Sequence, residues 1–419
     1  MKILPPNGGK PPIPQKARKS GPSRLLGMFA KSSDPPEAEK SSEVVAKLRE
    51  NRRMGFKLND AARNLACARG RDKGLEFPAT YHRVAQCRWS VLGPRGFVRF
   101  SEEGRGYLTN VVTCGSVWAC PMCTAVIQEG RRQEIAKAID WAYSEGLQPV
   151  MVTFTFPHDV EDDLRELLQR QAKAFELLRY GSPWKRFKEA IGYQGLIRSL
   201  ELTYGENGWH PHTHELFFVS SQADADQLEA RLTELWESAC VRAGLLDLQD
   251  LYRVLAFRDI GVKVIGWCKA SDYLAKQDDS RHWGVDRELA KSSTKAGRAT
   301  GQHPFGLLAA AASGDMAAGE RYIEYIEGMK GKRQLFWSRG LKGRVGIEEQ
   351  SDEELAAYVD PSLQPAAGFD NMNYYRACRL GKRALMLEMA EAGYAEAGLV
   401  GAQVSLGRFF AVLYGMERG

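Results

Sequence analysis

The chain has 419 residues, which predicts two or three domains from the usual size of a domain. Its 44% hydrophobic and 26% charged residues are close to the globular average, so neither wholesale disorder nor a fibrous repeat is expected. The 58 Lys and Arg residues outnumber the 52 Asp and Glu residues, and the net charge of +6 permits nucleic-acid binding without demonstrating it.

The N-terminal region is rich in proline. Eight of the 18 prolines lie in the first 36 residues among scattered basic residues, so residues 1–40 are predicted to be a flexible basic arm. This region lacks the apolar core of a signal peptide, and the most apolar stretch of the chain, residues 397–415, is interrupted by Gln403, Ser405 and Arg408. We therefore expect no membrane helix and a reducing, cytoplasmic compartment, in which the eight cysteines do not form disulfides.

Strands and helices alternate in the middle of the chain. The predicted elements are a helix at Ser42–Arg53, a strand at Pro149–Phe156, a helix at Val160–Tyr180, strands at Gly195–Tyr204 and Trp209–Val219, a helix at Ala223–Ala243, a strand at Tyr252–Ile260 and a short helix at Cys268–Gln277. Beyond residue 300 the chain is predicted to be mainly helical. The turn Gly205–Gly208 predicts a hairpin, which favours an α+β fold with an antiparallel sheet. No dinucleotide-binding or P-loop spacing lies between a strand and a helix.

Three of the seven histidines alternate along the second hairpin strand. His210, His212 and His214 are predicted to share one sheet face, and a four-residue turn places Glu201 directly opposite His212. Two imidazoles and a carboxylate suit a divalent cation with positions left open for substrate oxygen. Packed or surface histidines are the alternative. Pro211 cannot donate to a ladder, so we expect this strand at an edge.

A Tyr-x-x-Lys pattern follows in the helix predicted at Cys268–Gln277. Tyr273 and Lys276 share a helix face, as does Lys269. A neighbouring ammonium group or a metal stabilises a phenolate, which a tyrosine nucleophile requires. Such a pattern alone is common in helices that have no catalytic role.

Four cysteines form an upstream cluster. Cys114, Cys120 and Cys123 are close in sequence, and Cys87 is the nearest upstream candidate for a fourth thiolate. Four thiolates would close a tetrahedral structural zinc site. Buried free thiols, a redox pair, or His82 in place of Cys87 are the alternatives.

The segment from Lys330 to Arg344 is basic and contains no acidic residue. Cations meet phosphates and aromatic faces stack on unpaired bases, so the segment is predicted to contact single-stranded DNA. The candidate DNA-binding residues are Lys332, Arg333, Phe336, Trp337, Arg339 and Lys342. A solvated charged face is the alternative.

Residues 80–346 resemble the HUH endonucleases, specifically the plasmid rolling-circle replication initiators (Rep proteins) with one catalytic tyrosine. The resemblance rests on residues 152–158, 207–214, 272–276, 303–305 and 334–342. It implies a ferredoxin-like or RRM-like antiparallel sheet flanked by helices, a zinc-binding segment upstream and a helical C-terminal region.

The resemblance also implies a reaction. Mg²⁺ or Mn²⁺ would be bound by His212, His214, Glu201 and His210, and Tyr273, with Lys276 beside it, would attack one DNA strand at an origin. The products would be a 5′-phosphotyrosine link and a 3′-hydroxyl primer, and the strand would later be rejoined. Implied partners are single-stranded or supercoiled origin DNA, the host helicase and the replication machinery.

Some members carry an acid one helical turn before the tyrosine, where this sequence has Lys269, so Asp272 or a second protomer's tyrosine is the candidate for completing the second cleavage. The predicted domains are the arm (1–40), an N-terminal segment with the zinc cluster (41–145), an HUH endonuclease domain with its basic segment (146–346) and a helical tail of unknown role (347–419). A transposase or mobilisation relaxase with the same site, and a non-catalytic zinc-containing DNA-binding regulator, are the alternative functions.

Overall fold

The computed structural model describes residues 38–220, 223–265 and 301–416. The helices are α1 (Ala38–Asp72), α2 (Pro121–Ser144), α3 (Leu164–Leu178), α4 (Gly181–Ala190), α5 (Ala225–Arg242), α6 (Leu251–Ile260), α7 (Pro304–Ala311), α8 (Met316–Gly328), α9 (Leu341–Val345), α10 (Asp352–Ala357), α11 (Asn371–Arg379) and α12 (Arg383–Met416). The strands are β1 (Arg95–Phe100), β2 (Gly106–Thr109), β3 (Leu147–Phe154), β4 (Gly195–Gly205), β5 (Gly208–Ser220), β6 (Val262–Ile265), β7 (Leu335–Trp337) and β8 (Gln364–Asp370).

A five-stranded sheet in the order β6-β3-β5-β4-β7 forms the centre of the fold, and its neighbouring strands are all antiparallel. Helix α2 covers one half of one face, where Ile135 and Ile139 pack with Leu216 and Phe218. The opposite face packs on α3 and α5, and Phe154 contacts the ring of Trp236 at a centroid distance of 5.2 Å. The predicted α+β class, with antiparallel strands between helices, is confirmed.

One predicted strand is wrong. Tyr252–Ile260 is helical, within α6, because the side chain of Asp250 caps the helix by accepting from the backbone N–H of Arg253. Val254 and Phe257 are buried at helical spacing, and the strand that follows is β6, after Gly261. The helix predicted at Cys268–Gln277 lies outside the described residues, as does the arm up to residue 37.

The C-terminal region joins the N-terminal segment in a second, smaller sheet of order β2-β1-β8. Strand β8 pairs with β1, and α12 packs on this sheet. Arg383 at the start of α12 is fully buried and donates to Asn59 and to the backbone carbonyl of Arg88, and it forms an ion pair with Asp60. Residues more than 250 positions apart in the chain therefore share one hydrophobic core.

Helix α12 is, among the described helices, the one with a window long and apolar enough to cross a membrane. It does not run straight. Ala397 and Gly398 have non-helical dihedrals, and a Cβ on Gly401 would lie 2.0 Å from the carbonyl oxygen of Gly393. Eight residues of straight helix would separate these glycines by about 12 Å, so the chain folds back at residues 397–398. Each half is then shorter than the roughly 20 residues that a membrane span requires.

Candidate metal centre and its surroundings

The hairpin β4–β5 places the histidines as the sequence predicts. Glu201 lies directly opposite His212, and Ser199 lies opposite His214. The imidazoles occupy the same sheet face as Leu216 and Phe218, beyond the part that α2 covers. The expectation of an edge strand is wrong for β5 as a whole, because β5 is central. Its pairing with β3 ends at Thr213, however, so Pro211 has a ladder neighbour only in β4.

Glu201, His212 and His214 converge on one point. The Nε2 atoms of His212 and His214 lie 3.1 and 3.4 Å from Oε2 of Glu201, and the three candidate ligand atoms lie within 4.8 Å of one another. Two ligands at right angles, each about 2.1 Å from a metal ion, are separated by about 3.0 Å. The group therefore has the donor atoms and the spacing to hold a divalent cation.

Each ring has an oxygen beside its Nδ1, on the side away from Glu201. Nδ1 of His214 lies 2.9 Å from Oγ1 of Thr153, and Nδ1 of His212 lies 3.4 Å from the backbone oxygen of His210. With Nδ1–H donating to these oxygens, a divalent cation would take the place of the Nε2 protons that hydrogen-bond to Glu201. Thr153 is on β3, directly opposite His214 in the ladder.

His210 differs from the prediction that it binds metal. Its Nε2 lies 2.7 Å from Oγ1 of Thr155, and it is not part of the group formed by Glu201, His212 and His214. Its ring stacks on that of His158 at a centroid distance of 4.8 Å. Burial, with the neighbouring charges of His212 and His158, lowers the pKa of His210 to about 3, so this imidazole is neutral at physiological pH.

The electrostatics of Glu201 favour the ionised form. Burial would raise the pKa of this carboxyl group, but the hydrogen bonds and charges of His212 and His214 outweigh burial and hold the pKa well below its usual range. His303, which caps α7 next to the hairpin, is buried, and burial lowers its pKa to about 4 against the opposing charge of Glu201.

The hairpin tip is fixed to the loop after β3. Gly208 has φ +80°, and a Cβ there would lie 2.8 Å from Cα of Val160 and 2.9 Å from the carbonyl oxygen of Asp159. Nδ1 of His158 lies 2.8 Å from the backbone oxygen of Asn207, and Arg253 of α6 holds the Asp159 carboxylate at 2.8 Å. These contacts bring His158 onto the ring of His210.

The four predicted cysteine ligands form a buried cluster. The Sγ–Sγ distances are 3.5 Å for Cys87–Cys120, 3.6 Å for Cys87–Cys123 and 3.7 Å for Cys114–Cys123. Sulfur atoms 2.3 Å from a tetrahedral zinc ion are about 3.8 Å apart, so the spacing fits zinc. His82 instead caps a short helix through its side chain, so Cys87 fills the fourth position.

Two polar side chains lie around this cluster. The amide of Asn59 points at Sγ of Cys120 at 3.7 Å, and Nε of Arg88 is buried without a hydrogen-bond partner among the described residues. Burial raises the pKa of Cys120, whereas hydrogen bonds from the other three thiols lower the pKa of Cys123. The guanidinium of Arg88 provides positive charge beside a group that carries net negative charge when four thiolates bind zinc.

The predicted DNA-binding residues lie in different environments. Arg333, Phe336 and Arg339 are exposed, and Lys332 and Trp337 are partly buried. Lys342 is buried, with Nζ 3.3 Å from carboxylate oxygens of both Glu134 and Glu349, so its charge is paired within the fold. Tyr273 and Lys276 lie outside the part of the chain that the structure describes.

Sequence reasoning missed the threonines of β3. Thr153 and Thr155 alternate in a Thr-Phe-Thr-Phe run, which places both hydroxyl groups on one face. That alternation could have indicated hydroxyl groups beside the histidines, since β3 pairs with the histidine strand β5.

Comparison with known proteins matches a region that contains the Glu201, His212 and His214 group and most of the cysteine cluster. Residues 105–240 match a family model described as a replication protein. The match covers about a third of the chain and shows that this region is similar to replication proteins. The region contains Glu201, His212, His214 and three of the four clustered cysteines, and it ends before Tyr273.

Two curated relatives extend the comparison. The chain is 24% identical over 323 residues to "Protein rep" of Streptomyces lividans, a match that covers 62% of this chain and 70% of that protein. It is 30% identical over 158 residues to a protein of Streptomyces cyanogenus named "Neomycin resistance protein", covering 32% of this chain and 36% of that protein. No solved structure matches the chain.

Proposed function

We propose that this chain initiates rolling-circle replication of a plasmid by cutting one DNA strand at the origin and later rejoining it. The observation that carries the proposal is the group of Glu201, His212 and His214 on the central hairpin of a replication protein region. Such a role would place the chain in the cytoplasm, with the host helicase and replication machinery as partners.

In this proposal Tyr273 is the nucleophile. Its phenolic oxygen attacks the scissile phosphorus, the phenolic proton is lost, and the bond to the 3′ oxygen breaks. A 5′-phosphotyrosine link and a protonated 3′-hydroxyl group result, so the atoms balance. Lys276, one helical turn away in sequence, would stabilise the phenolate.

Chain connectivity permits this assignment. Tyr273 lies eight positions after Ile265 of β6, and an extended chain of that length spans up to about 28 Å. Ile265 pairs with Met151, which in turn pairs with Leu216, two residues from His214. Strand spacing gives about 12 Å between the Cα atoms of Ile265 and His214, which is well within that reach.

The chain's own residues prepare the site for a cation. Glu201, His212 and His214 would hold Mg²⁺ or Mn²⁺, because imidazole and carboxylate donors without thiolate favour these ions in phosphoryl transfer. When bound, the cation polarises the phosphate oxygen and takes up negative charge in the transition state. Thr153 fixes the orientation of His214, and His210 remains uncharged beside the site.

A nicking assay tests the proposal. The full chain is incubated with Mn²⁺ and a supercoiled plasmid carrying the DNA that flanks its own gene. We expect nicked circles and a detergent-resistant protein–DNA adduct. Tyr273→Phe should abolish the adduct and retain DNA binding, and His212→Ala or excess EDTA should stop cleavage.

Tyr252→Phe is the matched control, because Tyr252 lies on the exposed face of α6. Undiminished adduct formation by Tyr273→Phe would refute the assignment of Tyr273 as the nucleophile. Full nicking activity in excess EDTA would refute the proposed metal site. DNA binding by the wild-type chain without nicking would favour the non-catalytic regulator. Strand transfer between two different DNA ends in place of plasmid relaxation would favour a transposase or relaxase.

We also propose that the cysteine cluster binds structural zinc. Four thiolates fill all zinc positions, so this ion would hold the fold and leave no position for substrate. Elemental analysis of the purified full chain should find one tightly held zinc ion. Cys120→Ser should lose it and melt at a lower temperature, whereas Cys240→Ser, at a buried thiol outside the cluster, should retain it. Well-folded, active protein without zinc would contradict the proposal.

A further inference from the structure

A cleft of about 1150 Å³ lies along the β7 edge of the five-stranded sheet. Its walls come from the last turns of α1 and α8, the loop of residues 330–334, β7, and the start of α10. Nine basic and five acidic side chains line it. The cleft is separate from the metal centre, yet it borders the same sheet, because Leu335 of β7 pairs with Ser199 of β4, two residues before Glu201.

Three cations converge on a single carboxylate in this cleft. Arg69 Nε and Lys73 Nζ lie 2.9 and 2.7 Å from Oε1 of Glu327, and Arg165 Nη2 lies 3.7 Å from Oε2. One carboxylate neutralises one positive charge, so two remain. The three cationic side chains are still 46%, 42% and 61% exposed, and their shared contact with Glu327 holds them together on the surface.

The loop beside this cluster is held at both ends. The indole N–H of Trp118 donates to the backbone oxygen of Lys332 at 2.8 Å, and the backbone N–H of Leu200 donates to that of Gln334 at 3.0 Å. Lys330 and Arg333 on this loop are exposed. Lys330 and Arg333 thus add positive charge on a loop whose backbone is hydrogen-bonded to Trp118, in the segment of the clustered cysteines, and to β4 of the five-stranded sheet.

Most of the acidic side chains that line the cleft from residue 349 onwards form ion pairs with basic residues. Asp352 contacts Arg131 at 2.8 Å, Glu349 contacts Lys342 at 3.3 Å, and Glu353 pairs with Arg83. The excess positive charge therefore lies on the side formed by α1, α8 and the loop. Phe336, exposed at the cleft and backed by the guanidinium of Arg198 at 4.9 Å, adds an aromatic face.

We infer that this cleft binds the single-stranded DNA next to the cleaved bond, with Arg69, Lys73 and Arg165 on its phosphates and Phe336 against a base. This inference rests on the proposed function. Cations and an accessible aromatic face together suit unpaired nucleotides, because a base within a duplex has no free face to stack. Leu335 of β7 lies about 8 Å from the Glu201 backbone. Phe336 and Arg198 lie on the sheet face opposite Glu201, so the DNA strand would pass around the β7 edge to reach both places.

Fluorescence anisotropy with labelled oligonucleotides tests the inference on the full chain without divalent cations. The probes are single strands of 8 and 24 nucleotides and a duplex of 24 base pairs. Arg69→Ala/Lys73→Ala should bind the 24-nucleotide strand roughly tenfold more weakly at low salt, with a salt slope reduced by about 1.4, since each lost phosphate contact on a single strand removes about 0.7. Binding of the 8-nucleotide probe centred on the cleavage site should change less.

Glu327→Gln provides a test of opposite sign. It leaves the three cations without their carboxylate, so single-strand binding should tighten and the salt slope should steepen. Arg258→Ala is the matched control, because Arg258 is an exposed arginine paired with Glu237 on another surface, and its removal should leave binding unchanged.

Unchanged affinity and salt slope in the double variant would overturn the inference. So would an equal loss with Arg258→Ala, or a larger loss for duplex than for single-stranded DNA. Nicking separates this result from the proposed function. Arg258→Ala, outside both the cleft and the metal centre, should nick as the wild-type chain does, and the double variant should need more DNA for the same cleavage. Absence of nicking by the wild-type chain would refute the proposed reaction whatever the binding results.

Discussion

Replacing Thr153 by valine tests the hydrogen bond that orients His214. The substitution keeps the size and branching of the side chain, so β3 should pair and pack as before. It removes the hydroxyl oxygen that lies 2.9 Å from Nδ1 of His214. The ring then loses the contact that directs its Nε2 towards Glu201.

The expected loss of metal affinity follows from two contributions. A neutral hydrogen bond contributes about 1 kcal/mol net, and leaving a partly buried N–H without an acceptor costs about 1 kcal/mol more. The sum of about 2 kcal/mol corresponds to roughly a 30-fold weaker Kd. This lies inside the range of about 10- to 100-fold typical for outer partners of metal ligands.

Calorimetric titration of Mn²⁺ into the full chain measures the effect. Thr155→Val is the matched control, because Thr155 is two residues further along the chain and contacts His210, which lies outside the metal group. We expect Thr153→Val to weaken Mn²⁺ binding about 30-fold and Thr155→Val to weaken it by less than about threefold. Each variant loses one hydrogen bond of the folded protein, so the two melting temperatures should fall by similar small amounts.

The comparison between the two variants decides whether the reasoning holds. Equal losses in both variants would show that the hydroxyl groups act through the general polarity of the site. No loss in Thr153→Val would show that packing alone orients His214. Either result would refute the assignment of Thr153 as the residue that positions this imidazole.

Two further predictions concern stability. Gly208→Ala should lower the free energy of unfolding, measured by urea titration, by about 2 kcal/mol more than Gly146→Ala does. Both glycines have positive φ, but only a Cβ at residue 208 would lie within 3 Å of backbone atoms. Equal effects of the two substitutions would mean that φ alone matters. Arg383→Leu should cost about 3–5 kcal/mol in the same assay, since it leaves the Asp60 carboxylate without its buried partner. Arg53→Leu, at an exposed pair with Glu388, should change stability far less, and a similar loss in both variants would contradict the importance of burial.

The hairpin and its carboxylate could be predicted because they depend on short-range rules. A four-residue turn fixes the register of two adjacent strands, and alternation then fixes which side chains share a face. Glu201 opposite His212 follows from those two rules and is confirmed by the observed ladder. The contact between Thr153 and His214 depends on a pairing between strands about 60 residues apart, for which the sequence contains no turn to set the register.

The predictions that failed or were missing concern features that a local sequence pattern does not determine. The run Tyr252–Ile260 is rich in aromatic and aliphatic residues, which favours a strand by composition, but its buried side chains and its Asp250 cap are those of a helix. The pairing of β8 with β1 joins residues about 270 positions apart, and no local pattern indicates it. Alternation gives the face of a side chain and not the direction of its ring nitrogens, so it does not predict that Nε2 of His210 lies beside Thr155 and outside the group of Glu201, His212 and His214.

Helix α2 links the cysteine cluster to the sheet that carries Glu201, His212 and His214. Cys120 occupies the N-cap position without a side-chain capping hydrogen bond, and Cys123 lies in the first turn, where the helix dipole favours negatively charged sulfur. Further along, Ile135 and Ile139 pack on Leu216 and Phe218, on the sheet face that carries His212 and His214. A change at the cysteines thus reaches the histidine strand through one rigid helix and its side-chain packing. On the proposed function, removing zinc from the cysteine cluster should therefore weaken Mn²⁺ binding by displacing β5, even though no thiolate belongs to the group of Glu201, His212 and His214.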